Sequence, residues 1–120
     1  ILAYGYKKSV GDHYYLLEDK TNNFEIIGKD IFTSDGHPQF APNQEYFITD
    51  TYPDRLRRQY LIRYNIKSKK RDDLVVIKSS FPYTGEVRCD LHPRWDRIGK
   101  SVAFDSSHTG KRSLCTIRLD

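Results

Sequence analysis

An all-β chain assembled from repeated four-stranded units is what this sequence predicts, and three observations carry the prediction. Apolar runs are short, broken after five or six residues at most by a polar or turn residue. Tyr and Phe, both good strand formers, number 9 and 6, while Met is absent. Two segments also recur in one register: His37-Pro38-Gln39-Phe40 returns as His92-Pro93-Arg94-Trp95, and Asp50 of Phe47-Ile48-Thr49-Asp50 returns as Asp105 of Val102-Ala103-Phe104-Asp105. Both pairs are 55 positions apart (37 to 92 and 50 to 105), and two anchors in one register are hard to obtain by chance.

The elements follow from that repeat. After each His-Pro anchor a short strand ends in a turn, Pro42-Asn43-Gln44 in one copy and Arg97-Ile98-Gly99 in the other, where punctuating residues separate the first two strands. A third strand follows, Gln59 to Asn65 and Ser113 to Asp120, rich in Tyr, Leu and Ile. Tyr14 to Asp19 matches Tyr60 to Asn65 at a separation of 46 (14 to 60). Each of these leads through a polar turn to a β-branched strand, Phe24 to Gly28 and Leu74 to Ile77. With strands labelled a to d, the first copy supplies b (Ile1 to Tyr6), c and d, the second all four, and the third a to c. The repeats cover about 1–28, 37–77 and 92–120, roughly ten strands in a single segment spanning 1–120. Units of this size and strand count are the blades of a β-propeller, which closes with about 4–8 of them. The expectation is a partial β-propeller of about two and a half four-stranded antiparallel blades; an ordinary sandwich with accidental similarity is the alternative. Arg55 to Arg63 has near-helical spacing of Leu56 and Tyr60, but Tyr52-Pro53-Asp54 before it favours a loop leading into a strand.

Composition bounds the rest. The chain has 120 residues, 38% apolar and 30% charged, enough for one domain with a modest core that a neighbour is expected to help cover. A net charge of +4 permits an anionic partner. No segment reads as membrane-spanning, so no membrane partner is expected. Two cysteines, Cys89 and Cys115, lack metal or disulfide-framework spacing; reduced thiols and a cytoplasmic setting are expected. The start at Ile1-Leu2-Ala3-Tyr4 suggests excision from a longer polypeptide. No nucleophile elbow, phosphate loop or dinucleotide fingerprint is present.

Because antiparallel strands alternate direction, the d-to-a and b-to-c loops emerge at one end of each blade and the a-to-b and c-to-d loops at the other. The first end collects His37, Arg88, Asp90 and His92, together with His13, Tyr52, Arg55, Arg57, Arg58, His108 and Arg112. His37 and His92 begin equivalent innermost strands and should converge on the channel. With Asp90 they form a candidate site for a divalent metal, borderline donors suiting manganese, zinc or iron; the alternative is that each imidazole merely meets a neighbouring carbonyl. Arg55, Arg57, Arg58 and Arg88 offer planar forks for a carboxylate, and Tyr52 a flat surface for a sugar ring, which makes these the candidate substrate-binding residues. A solvated loop pairing its arginines with Asp50 and Asp54 is the competing reading. The run Lys67 to Arg71 at the opposite end reads as a solvated hairpin turn without stacking aromatics, so no nucleic-acid partner is expected.

The segments Asp35 to Pro42, Thr49 to Asp54 and Arg88 to Trp95 resemble blades of oligogalacturonate-lyase-like proteins, within the wider Tol-type propeller group. His92 through Gly99, Phe104-Asp105-Ser106, Gly110 and Asp120 follow that group's blade pattern. The resemblance implies a seven-bladed propeller in the complete protein, a divalent metal such as manganese held by histidines and a glutamine, and β-elimination on short pectin fragments. The family's His-Pro-His element stands here as Asp90-Leu91-His92, and no glutamine counterpart is evident. Two functions follow as expectations: a segment acting on an acidic oligosaccharide, lyase-like in the complete protein and inactive alone, or a non-catalytic module for glycan or protein binding. Open blade edges predict a homo-oligomer or incorporation in a longer chain.

Overall fold

The computed structural model describes all 120 residues as three antiparallel sheets and ten strands. β1 (Leu2–Lys7), β2 (Gly11–Leu17) and β3 (Phe24–Ile27) form the first sheet. β4 (Gln39–Phe40), β5 (Tyr46–Asp50), β6 (Arg58–Asn65) and β7 (Lys70–Lys78) form the second, in chain order. β8 (Arg94–Trp95), β9 (Ser101–Ser106) and β10 (Ser113–Arg118) form the third. Strands b, c, d, then a to d, then a to c are thus all present. The sheets stack like successive propeller blades, β4 lying beside β8 as neighbouring innermost strands do.

The middle sheet shows why the sequence stacks this way. Successive strand residues point to opposite faces, and both faces here are apolar. On β5, Phe47 enters a cluster with Tyr14, Ile27, Phe32, Ile62 and Tyr64 between the first and second sheets. Its neighbour Ile48 enters the other cluster, with Leu61, Ile77, Leu91, Val102 and Phe104, between the second and third. A sheet covered on both sides needs consecutive apolar residues along its central strands, and Tyr46-Phe47-Ile48 of β5 and Tyr60-Leu61-Ile62 of β6 supply them. The first interface is largely aromatic: Tyr14 meets Phe32 edge-on at 5.1 Å, and Phe47 packs on Tyr64 at 5.3 Å. On β7 the register slips so that Leu61 pairs with Val75 and Ile62 with Asp73, leaving Leu74 as a bulge.

Polar ties reinforce the stacking. The Tyr14 and Thr49 hydroxyls meet at 2.6 Å between the first two sheets. Gln39 holds Trp95 twice between the inner strands of the second and third: its side-chain oxygen accepts from the Trp95 amide at 2.8 Å and its carbonyl from the indole N–H at 3.2 Å.

Two local expectations are corrected. The basic run is only partly a turn, since Lys70 and Arg71 already belong to β7 and Arg71 is tied to Asp73 and to the Ile31 carbonyl. His13, expected in a loop, lies within β2, its ring edge-on to Tyr15 at 6.0 Å. Between β7 and β8 the chain makes a short 3₁₀ turn, Gly85–Val87, that nothing in the repeat announces. Arg55 to Arg63 behaves as expected, a loop that becomes β6. Both cysteines are free, and no helix is long and apolar enough to cross a membrane.

Candidate functional site

The site grows from one buried carboxylate. Asp50 ends β5, and strand alternation turns its side chain toward the third sheet while Thr49 faces the first. Only 1% of Asp50 is exposed, so its charge must be compensated by donors. The His37 amide supplies one at 2.7 Å, the His92 amide a second at 3.0 Å, and the His37 ring a third, its Nδ1 lying 2.9 and 3.1 Å from the two carboxylate oxygens. Asp50 thus clamps together the two loops that carry the repeated His-Pro anchors.

This clamp sets the chemistry of His37. An ionised carboxylate only accepts, so Nδ1 of that ring carries a proton and Nε2 is the ring nitrogen left to face a ligand. A carboxylate behind an imidazole is also how metal-binding histidines are oriented. The His92 ring lies over His37, with centroids 3.8 Å apart and planes inclined by 34°. The His92 backbone is held at φ 42°, in the left-handed region that a residue before proline normally avoids. The amide bond to Asp50 accompanies this unusual conformation, of the kind that clusters at ligand sites.

Asp90 completes the group: one donor atom from each of His37, Asp90 and His92 lies within 4.8 Å of the others. Two borderline nitrogens and one hard oxygen make a metal-capable set. Arg88 grips Asp90 with both Nε and Nη2, the latter at 2.9 Å, and its guanidinium lies 4.2 Å over the Tyr52 ring. The bond to Asp90 pushes the Arg88 pKa up, so it stays cationic. Burial, then the charges of Asp35 and Asp90, push the Tyr52 hydroxyl above its ordinary value and keep it protonated. Beside the group lies a hollow of about 300 Å³ whose lining includes Arg88, Asp90, His92, Asp105 and Arg112.

The structure therefore brings together His37, Asp90, His92, Arg88 and Tyr52, and places the other arginines elsewhere. Arg57, with its own left-handed φ of 63°, folds back onto the linker after β7, where it donates to the carbonyls of Ser79, Ser80 and Tyr83. Arg58 pairs with Asp54 at 2.8 Å, an exposed contact in which the Arg58 amide also holds the Asp54 carboxyl below its usual range. Arg55 stands exposed in the same turn. Sequence reasoning missed two residues. Asp50 stands in the sequence reading only as a repeat anchor and a partner for loop arginines, although its repetition at 105 hints at a structural task. Gln59, fully buried, donates to the Cys89 carbonyl at 3.0 Å and fixes the segment leading to Asp90.

A solved chain from Agrobacterium tumefaciens assigned as TolB is similar to this one across 98% of its residues, with a TM-score of 0.69 at 20% identity. The match spans 38% of that propeller. No family model matches the chain, and no curated protein matches it. At that identity the likeness establishes the fold, part of a TolB-type propeller, and says nothing of substrate or reaction.

Proposed function

We propose that the chain is the part of a propeller that receives an acidic oligosaccharide at its His-rimmed end, with a divalent cation, manganese foremost, held by His37, His92 and Asp90. The observation that carries this reading is the convergence of those three donors from adjoining blades, within 4.8 Å of one another, beside Arg88. A uronate carboxylate fits Arg88 by exchange with Asp90, and Tyr52 backs the guanidinium so that its fork keeps one orientation. The cation would neutralise negative charge on that carboxylate, as proton removal beside it in β-elimination demands. Asp50 holds the His37 tautomer, and Gln59 holds the loop that delivers Asp90.

A second reading, glycan or protein recognition without chemistry, has one observation in its favour. Arg88 is already neutralised by a two-pronged bond to Asp90, so a carboxylate arriving there must compete with an internal partner. In either case three stacked sheets do not enclose a channel, and the chain alone is expected to be inactive.

The test is manganese titration by calorimetry on the chain and on a variant combining His37→Ala and His92→Ala. One ion per chain, with affinity reduced about 100-fold or more in the variant, is expected from the loss of two ligands. Oligogalacturonate binding that weakens with chelator supports the first reading; binding indifferent to chelator supports the second.

The outer faces of the end sheets bear on partners. Leu114 on β10 is 67% exposed, and β10 and β3 end their sheets with unpaired edges. Such surfaces recruit further strands, so the isolated chain is expected to self-associate at micromolar concentration in light scattering. A clean monomer contradicts this.

A further inference from the structure

We propose a second ligand site at the opposite end of the stack, between the second and third sheets, that takes a small carboxylated sugar or a similar anion with an apolar ring face. A cavity of about 520 Å³ opens there, within the range of small-molecule sites. Its wall carries three cations, Arg63, Lys100 and Arg118, two aromatic rings, Tyr46 and Trp95, and one carboxylate side chain, Asp120. The topology explains the placement. Trp95 and Arg118 end β8 and β10, Tyr46 begins β5, and Lys100 lies in the a-to-b turn of the third sheet, so all four fall at the end remote from His37 and His92.

The charges are only partly spent. Arg63 lies over the Tyr46 ring at 5.1 Å and gives Nη2 to Asp72 at 3.0 Å, but its Nε is buried without a hydrogen-bond partner. Lys100 and Arg118 are exposed and take part in none of the ion pairs of the fold. Asp72 offsets Arg63, so Lys100 and Arg118 are the two cations left facing the Asp120 carboxylate, and an anion that bridges them is the complementary ligand. The ring preference comes from Trp95. Its amide and indole N–H are both committed to Gln39, which fixes the plane of the indole across two blades. What it leaves for a ligand is a rigid apolar face, suited to the C–H side of a pyranose. This site stands independently of the His-rimmed reading.

Trp95 is the only tryptophan in the chain, so its emission reports on this cavity directly. Galacturonate titrated into the full 120-residue chain is expected to shift or quench that emission saturably, while galactose does not. Combining Lys100→Ala with Arg118→Ala should weaken the response about tenfold or more, since each charged hydrogen bond lost carries roughly that factor. Both side chains are exposed, and a companion variant joining Lys100→Arg with Arg118→Lys, which keeps the charge, should retain the response. The variant combining His37→Ala with His92→Ala should respond like the parent, separating this site from the other end. No emission change with galacturonate, an equal change with galactose, or a response unaltered by removal of both cations would each overturn the assignment. An equal response to inorganic sulfate would overturn its ring-selective part.

Discussion

Asp50→Ala is expected to be the most damaging single substitution at the rim, costing on the order of 3–5 kcal/mol and abolishing divalent-cation binding together with it. Three donors converge on this carboxylate, two of them amides from loops of different blades. Truncation leaves those amides and the His37 ring without their acceptor in a site from which water is nearly excluded, and an unsatisfied buried donor costs more than its bond contributed. The His92 loop would also lose the contact that accompanies its left-handed backbone. Asp50→Asn separates fold from site. The amide keeps one accepting oxygen but turns a donor toward a donor, so a smaller loss, about 1–3 kcal/mol, is expected with metal affinity still reduced because the His37 tautomer is no longer enforced. Thermal or urea unfolding gives the first quantity and manganese calorimetry the second. Full stability in Asp50→Ala would show that the clamp carries no load.

Gly36→Ala is expected to come second, near 3 kcal/mol, or about 10 °C in Tm for a chain of this length. The reason is space. A Cβ at Gly36 would overlap the backbone carbonyl oxygen of Asp50 and lie within 2.7 Å of Thr49 Oγ1 and 2.8 Å of the Tyr14 hydroxyl. The carbonyl belongs to β5 and moves only with the strand. Relief must therefore come from the Asp35–His37 loop, whose displacement carries His37 away from Asp50. Gly5→Ala, at a position where an added methyl meets nothing, is the matched control, and comparison of the two by thermal unfolding isolates the packing effect. Equal Tm values for the two variants would contradict it.

The fold was legible because blade boundaries rest on local chemistry. Pro42-Asn43-Gln44 and Arg97-Ile98-Gly99 turn the chain whatever surrounds them, and Gln44 and Gly99 both adopt the positive φ such turns require. The meeting of His37 with His92 was legible too, since equivalent positions in stacked blades must approach. The fate of the arginines was not. Arg57 and Arg58 are adjacent in sequence and alike in charge, yet one backbone in the left-handed region sends Arg57 to the carbonyls of a linker more than twenty residues away, and no local pattern encodes those partners.

Asp50 and Asp105 make the same point more sharply. The repeat treats them as equals, but Asp50 is buried because the following blade caps it with the His92 amide. Asp105 sits on the outer sheet, its carboxylate 41% exposed and 3.5 Å from Arg94. A residue's role here depends on which blade comes next, which is information of tertiary rather than local origin.

The central claim is that histidines from adjoining blades share one ion at the rim, and pulsed electron paramagnetic resonance on one equivalent of manganese bound to the chain labelled with ¹⁵N-histidine tests it most directly. Coupling to two imidazole nitrogens is predicted, one of them vanishing in His37→Ala and the other in His92→Ala. A bound manganese signal with no histidine coupling, or with coupling untouched by both substitutions, would contradict the account.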